Sequence, residues 1–158
     1  MGNDVLCDWK NFIREAAADE LASRPPLGGV SEVVQVDESL FRASGSTTDK
    51  GPWIVGLIWE SSGELHLFEV KKRDRRTLHT IKVKNVHPGT TVILNKWKGH
   101  NGLWTVHNEL GHMVLNHLTV NRSENFVDPE TGAHTQMIKS AWTALKQDFL
   151  KRGKGTSN

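Results

Sequence analysis

Apolar and polar positions recur along this chain with a period that changes from segment to segment, and each period predicts an element. From Asp8 to Ala22 the residues Trp9, Phe12, Ile13, Ala16, Ala17 and Leu21 recur at three- and four-residue steps. That spacing predicts an amphipathic helix, with Asp8 placed to cap it and Pro25-Pro26 to end it. Gly28-Gly29 then makes a loop. Val33 to Phe41 shifts to a period of two, with Val34, Val36 and Leu40 on one side, which predicts a strand. Arg42 to Pro52, rich in Ser, Thr and Gly, reads as a loop. Trp53 to Trp59 and Leu65 to Val70 are two further strands, and Ser61-Ser62-Gly63 between them predicts a hairpin.

Asp74 can cap a helix from about Arg75 to Val86 that turns Leu78 and Ile81 inward, and His87-Pro88-Gly89 stops it. Thr90 to Leu94 is short, apolar and β-branched, as a buried central strand should be. Residues 99–112 show no clear period, and Met113 to Val120 predicts another strand. After a turn at Asp128-Pro129-Glu130-Thr131-Gly132, a helix from about Thr135 to Lys151 buries Ile138, Trp142, Leu145 and Phe149. No internal repeat is present. Three strands, a helix, two strands and a closing helix make an α/β order with an antiparallel start. The ribonuclease H-like fold has this order: a mixed sheet flanked by helices, here with an extra N-terminal helix. The expected organisation is an extension over 1–27, one domain over 28–152 and a basic tail over 153–158.

Composition narrows the class. A chain of 158 residues, 37% hydrophobic and 24% charged, fits one globular domain. No apolar run approaches the roughly 20 residues that cross a bilayer, so no membrane partner is expected. Met1-Gly2-Asn3-Asp4 begins no secretory signal, and the single Cys7 excludes an internal disulfide and a cysteine-rich zinc module. An intracellular, reducing compartment is the expectation.

Charge is unevenly spread. Residues 1–41 hold three basic and eight acidic side chains, a net −5. Residues 71–100 hold Lys71, Lys72, Arg73, Arg75, Arg76, Lys82, Lys84, Lys96 and Lys98 against Asp74 alone, a net +8 in a chain whose total is +2. A one-signed block suits a phosphate-facing surface, and it equally suits a solvated helix with its flanking loops. These nine residues are the candidate nucleic-acid contacts.

Several short motifs add a resemblance. Val34-Gln35-Val36-Asp37-Glu38-Ser39-Leu40-Phe41 resembles the "V-E-I-D-E-S-x-F" strand of Merlin-superfamily transposases and their bacterial insertion-sequence relatives. Gly51-Pro52-Trp53-Ile54-Val55-Gly56 is similar to their "G-x-W-V-F-G", and Arg73-Asp74-Arg75-Arg76-Thr77-Leu78 to "x-D-R-x-x-T-L". Pro88 to Lys98 is similar to "P-G-T-T-I-x-S-D-x-W-K". Asn116-His117 and Asn121 both resemble the "V-N-H" region. Phe126 to Gln136 resembles "F-V-D-P-x-T-G-A-H-T-Q", and Ile138 to Trp142 resembles "I-E-x-x-W". Singly these blocks are weak; in order, from about Gly28 to Lys151, they cover most of the chain.

The resemblance implies a ribonuclease H-like fold and metal-dependent cutting and joining of DNA. Such chemistry uses two divalent ions held by carboxylate oxygens, which supply both ligands and negative charge. The family brings together an Asp from the first strand, an Asp from the fourth and an acidic residue on the late helix. Carried across, those positions read Asp37, Asn95 and Lys139. Their formal charge is 0 instead of −3. Asn95 still offers a carbonyl oxygen, whereas the Lys139 ammonium has no lone pair and repels a divalent cation. Glu38, Asp128 or Glu130 would have to stand in as ligands, and nothing in the sequence requires it.

Two further departures point the same way. The family's longer basic "R-K-Y-N-R-G-R" loop corresponds here to the nearly neutral stretch Arg42 to Lys50. The family also carries DNA-recognition sequence ahead of the catalytic domain, where this chain has about 30 residues. No other catalytic constellation competes. His112 and His117 lie five apart with His134 distant, which is no recognised zinc spacing, and Ser39 and Ser140 have no identifiable base. His134 matches a family position and is a candidate site-lining residue.

The expectation is therefore a transposase-derived, catalytically inactive domain that works by binding or as an adaptor, placed in the nucleus. Its partner would be a protein or nucleic acid, and a homo-oligomer is compatible with it. A residual nucleic-acid-binding module using residues 71–98 is the alternative, and an active nuclease with altered ligands a third. No cofactor is expected, with Mg²⁺ needed only if a residual site at Asp37 functions.

Overall fold

The computed structural model describes residues 23–41, 52–95, 105–107, 113–120 and 127–153. The helix over 8–22, Cys7, the loop over 42–50, Lys96, Lys98 and the tail after 153 lie outside the described residues. Eight elements follow in order: β1 (Val33–Leu40), β2 (Trp53–Trp59), β3 (Leu65–Val70), α1 (Arg75–Asn85), β4 (Thr90–Asn95), β5 (Thr105–His107), β6 (Met113–Val120) and α2 (Gln136–Gly153). Each predicted strand and both later helices appear within a residue or two of their expected limits. β5 is an addition: three residues in the stretch without a period, paired antiparallel to β6.

The six strands form one sheet in the order β3-β2-β1-β4-β6-β5. β2 runs antiparallel to β1 and β3, whereas β4 and β6 run parallel to β1. One reversed strand, a helix after β3 and a helix after β6 make this the ribonuclease H-like arrangement in the α/β class, with β5 added at an edge.

The two faces of the sheet are both apolar, which is why β1 is buried at nearly every position instead of at alternate ones. Val34, Val36, Val55, Leu57, Val92 and Leu94 meet Leu78 and Val86 of the α1 region on one face. Ile58 meets Ile138 and Trp142 of α2 on the other, and Ile93 and Val120 meet Ala133 beside them. Burial of this kind contributes on the order of 25 cal/mol per Å² of apolar surface, the main term holding the layers together. Leu27, 1% exposed, belongs to the first cluster; its N–H donates to Asn85 O at 2.8 Å and its carbonyl accepts from His87 N at 2.8 Å. The packed unit therefore begins at or before Leu27.

At Gly56 of β2, side chains of α2 press directly on the sheet. A Cβ there would lie 2.7 Å and 2.8 Å from Trp142 ring carbons and 3.0 Å from Ile138 Cδ1. The missing side chain lets the indole lie against the strand. Gly56→Ala is expected to cost roughly 1–2 kcal/mol by lifting Trp142, measured as a lowered midpoint in urea unfolding. An unchanged midpoint would show that the helix can slide without loss.

Candidate functional site

Parallel pairing aligns the C-terminal ends of β1 and β4. Val36 is the register partner of Leu94, so Asp37 and Asn95 follow as backbone neighbours on adjacent strands. Asp37 also pairs with Gly56 on its other side and is 8% exposed. The third position arrives through Gln35. Its Oε1 accepts from the backbone N–H of Ile138 at 3.1 Å, which seats the first turn of α2 on β1. Gln35 and Asp37 are two apart on one face of the strand, about 6.6 Å along it, and Lys139 follows Ile138 in the first turn of α2. Register thus sets Asp37 beside Asn95 at the ends of two central strands, and the Gln35 bond ties the first turn of α2, which carries Lys139, to β1.

Gln35 is the residue that motif reading passed over. It is fully buried, and its Nε2 donates to Glu60 Oε1 at 2.6 Å and to His134 Nδ1 at 3.4 Å. The amide therefore satisfies both ends at once, tying β1 to the end of the β2 hairpin, to His134 and to α2. Its sequence signal is an amide set between two valines, Val34 and Val36, at the start of a strand, since a buried amide is retained only where it is hydrogen-bonded. His134 is half-buried here, with Nδ1 3.4 Å from the Gln35 amide.

The donor set at this corner does not fit a divalent metal pair. Hard Mg²⁺ takes oxygen ligands and negative charge, and the three positions offer one carboxylate, one amide and one ammonium. Among the described residues no group of three or more His, Cys, Asp and Glu side chains is gathered to hold an ion. Asp128, a conceivable substitute ligand, serves its own turn: Oδ1 accepts from Glu130 N at 3.0 Å, Thr131 N at 2.8 Å and Thr131 Oγ1 at 2.9 Å. Glu130 is exposed on that turn. No metal-dependent step is derived for this chain.

The basic block divides into four groups. Lys71, Lys72, Arg75, Arg76 and Lys84 are exposed, around the β3–α1 turn and on α1. Lys96 and Lys98 lie outside the described residues. Arg73 is half-buried, with Cζ 3.8 Å from the centroid of the Trp53 ring. Lys82 is buried, being only 1% exposed. It follows Leu78 by one helical turn, so the stripe that buries Leu78 buries Lys82 as well. Burial pushes its ammonium down to about 8, partly countered by the carboxylate of Glu38. His79 is lowered by burial first and then by the charges of Lys82 and Arg75. The Lys82 amine has no hydrogen-bond partner among the described residues.

Asp74 organises the exposed cations. Its Oδ1 accepts from Thr77 N at 2.8 Å, capping α1. The Thr77 hydrogen bonds hold its carboxyl below the usual range, and the charges of Lys72 and Arg76 add to this.

No family model matches this chain, and no curated protein matches it. Among solved structures, a chain of the simian T-cell lymphotropic virus intasome in complex with PP2A regulatory subunit B56 gamma is similar at 12% identity. The match covers 85% of this chain and 49% of that one, with a TM-score of 0.49, so this chain spans about half the neighbour's length.

Proposed function

We propose that this ribonuclease H-like domain descends from a transposase of the kind its motifs resemble and acts by binding nucleic acid, without cutting it. The observation that carries the reading is the group of five exposed cations, Lys71, Lys72, Arg75, Arg76 and Lys84, on the turn after β3 and on α1. Each can neutralise a backbone phosphate, and counterion release then supplies the affinity. The strand-end corner supports the loss of cutting, because Asn95 and Lys139 stand where ligand carboxylates would be needed.

The test is binding of arbitrary DNA and RNA across a salt series. Reversing Lys72 and Arg76 to Glu should weaken binding alike for every sequence and flatten the log–log salt slope by about 2. Neither Mg²⁺ nor Mn²⁺ should produce nicks. Absence of binding by the parent protein would return the block to a solvated helix and favour an adaptor that engages protein. Metal-dependent nicking would instead establish an enzyme with altered ligands.

A further inference from the structure

The pair Arg73–Trp53 stands apart from the other cations because it is built and not merely solvated. Trp53 opens β2, where its backbone pairs with Leu40 of β1 and Val70 of β3, and its indole packs against the main core cluster. Arg73 lies three residues beyond the end of β3 and one before the Asp74 cap, so the backbone is fixed on both sides of it. The guanidinium rests on the indole with Cζ 3.8 Å from the ring centroid, and Arg73 keeps part of its surface in solvent. Lys72 and Arg76, both exposed, lie one residue before it and three after it in the chain. Asp74 is itself an anion, but Thr77 N–H occupies its Oδ1 in the cap.

A planar cation held on an aromatic ring is a platform on which a further planar group can stack. Bases stack on arginine planes as they do on aromatic rings, and each such contact is tolerant of base identity. Those two exposed cations can take phosphates of a strand whose base stacks there. A base inside a duplex has both faces covered by its neighbours, so it cannot use the platform. Only an unpaired strand can.

Resting on the nucleic-acid reading above, we infer that this surface is a single-strand binding site, with a base stacked on the Arg73–Trp53 pair and its phosphates on Lys72 and Arg76. The preference is for unpaired DNA or RNA over duplex, with little regard to sequence.

Fluorescence anisotropy with a labelled thymidine strand, the matching uridine strand and a duplex of equal length tests this. The decisive variant is Arg73→Lys, a change at a half-buried position that keeps the charge and removes the plane. The parent should bind the strands more tightly than the duplex. Arg73→Lys should lose about tenfold on the strands while duplex affinity and salt slope stay as they were. Equal loss on strand and duplex, or no loss on either, would overturn the platform and leave the phosphate surface standing. A parent that binds none of the three probes at low salt would overturn both.

Discussion

Replacing Lys82 with methionine is expected to stabilise the protein at pH 7 by about 2 kcal/mol, a rise of roughly 4–8 °C in melting temperature at this chain length. The argument starts from the amine, which is 1% exposed and has no hydrogen-bond partner among the described residues. Taking a charge out of water is costly, and the Glu38 carboxylate compensates only in part. The shift from 10.5 to about 8 expresses that balance, and at about 1.4 kcal/mol per unit it bounds the cost near 3 kcal/mol. Methionine keeps the length and apolar stem while leaving Glu38, half-buried, without the cation beside it. That loss brings the net gain down to the lower figure.

The sign of the pH dependence follows. Between pH 8 and 10.5 the unfolded chain holds the Lys82 proton while the folded chain has released it. Stability contributed by this group therefore rises with pH across that window, and below it the full cost is present. Urea unfolding of the parent and of Lys82→Met at pH 7 and pH 10 measures both effects. The two should differ at pH 7 and converge toward pH 10. A variant less stable than the parent at pH 7 would show that the buried ammonium holds α1 to the sheet.

Lys82 also illustrates what could be read in advance and what could not. The strands were legible because each is an apolar run bounded by Gly, Pro or Ser, and α1 because Asp74, Leu78 and Ile81 announce a cap and a face. A lysine one turn after Leu78 was counted with the surface charges, since its type carries that prior. Only the packing of α1 on β1 reveals that its stem lies inside. Gln35 was passed over for the opposite reason: its partners, Glu60, His134 and the Ile138 N–H, come from 25 to 103 residues away. β5 needed a partner strand to exist at all, and three residues carry too little period to announce themselves. The Arg73–Trp53 contact had no sequence signal. By contrast, Asp37, Asn95 and Lys139 are singled out by motif; the β1–β4 register sets the first two side by side, and the Gln35 bond ties the start of α2 to β1.

Restoring carboxylates at that corner should convert a metal-indifferent protein into a metal-dependent one. In the parent, millimolar Mg²⁺ is expected to leave the melting temperature unchanged, because one carboxylate among an amide and an ammonium offers too little charge. The double change Asn95→Asp with Lys139→Glu takes the formal charge of the three positions from 0 to −3. Without metal, three clustered carboxylates repel one another, so the variant should melt below the parent. With Mg²⁺ it should recover and pass its own metal-free value, by about 2.7 kcal/mol at a hundredfold excess over the dissociation constant. That corresponds to roughly 5–11 °C, readable by thermal denaturation with and without chelator. Lys139→Glu alone should give a smaller response, since Asn95 would still supply a neutral oxygen. The controls separate the alternatives cleanly. Stabilisation of the parent by Mg²⁺ would mean that other side chains complete a site around Asp37. A folded double variant that ignores Mg²⁺ would mean that the first turn of α2 sits too far from the strand ends to close one, and the corner would then be scaffold and not a former active site.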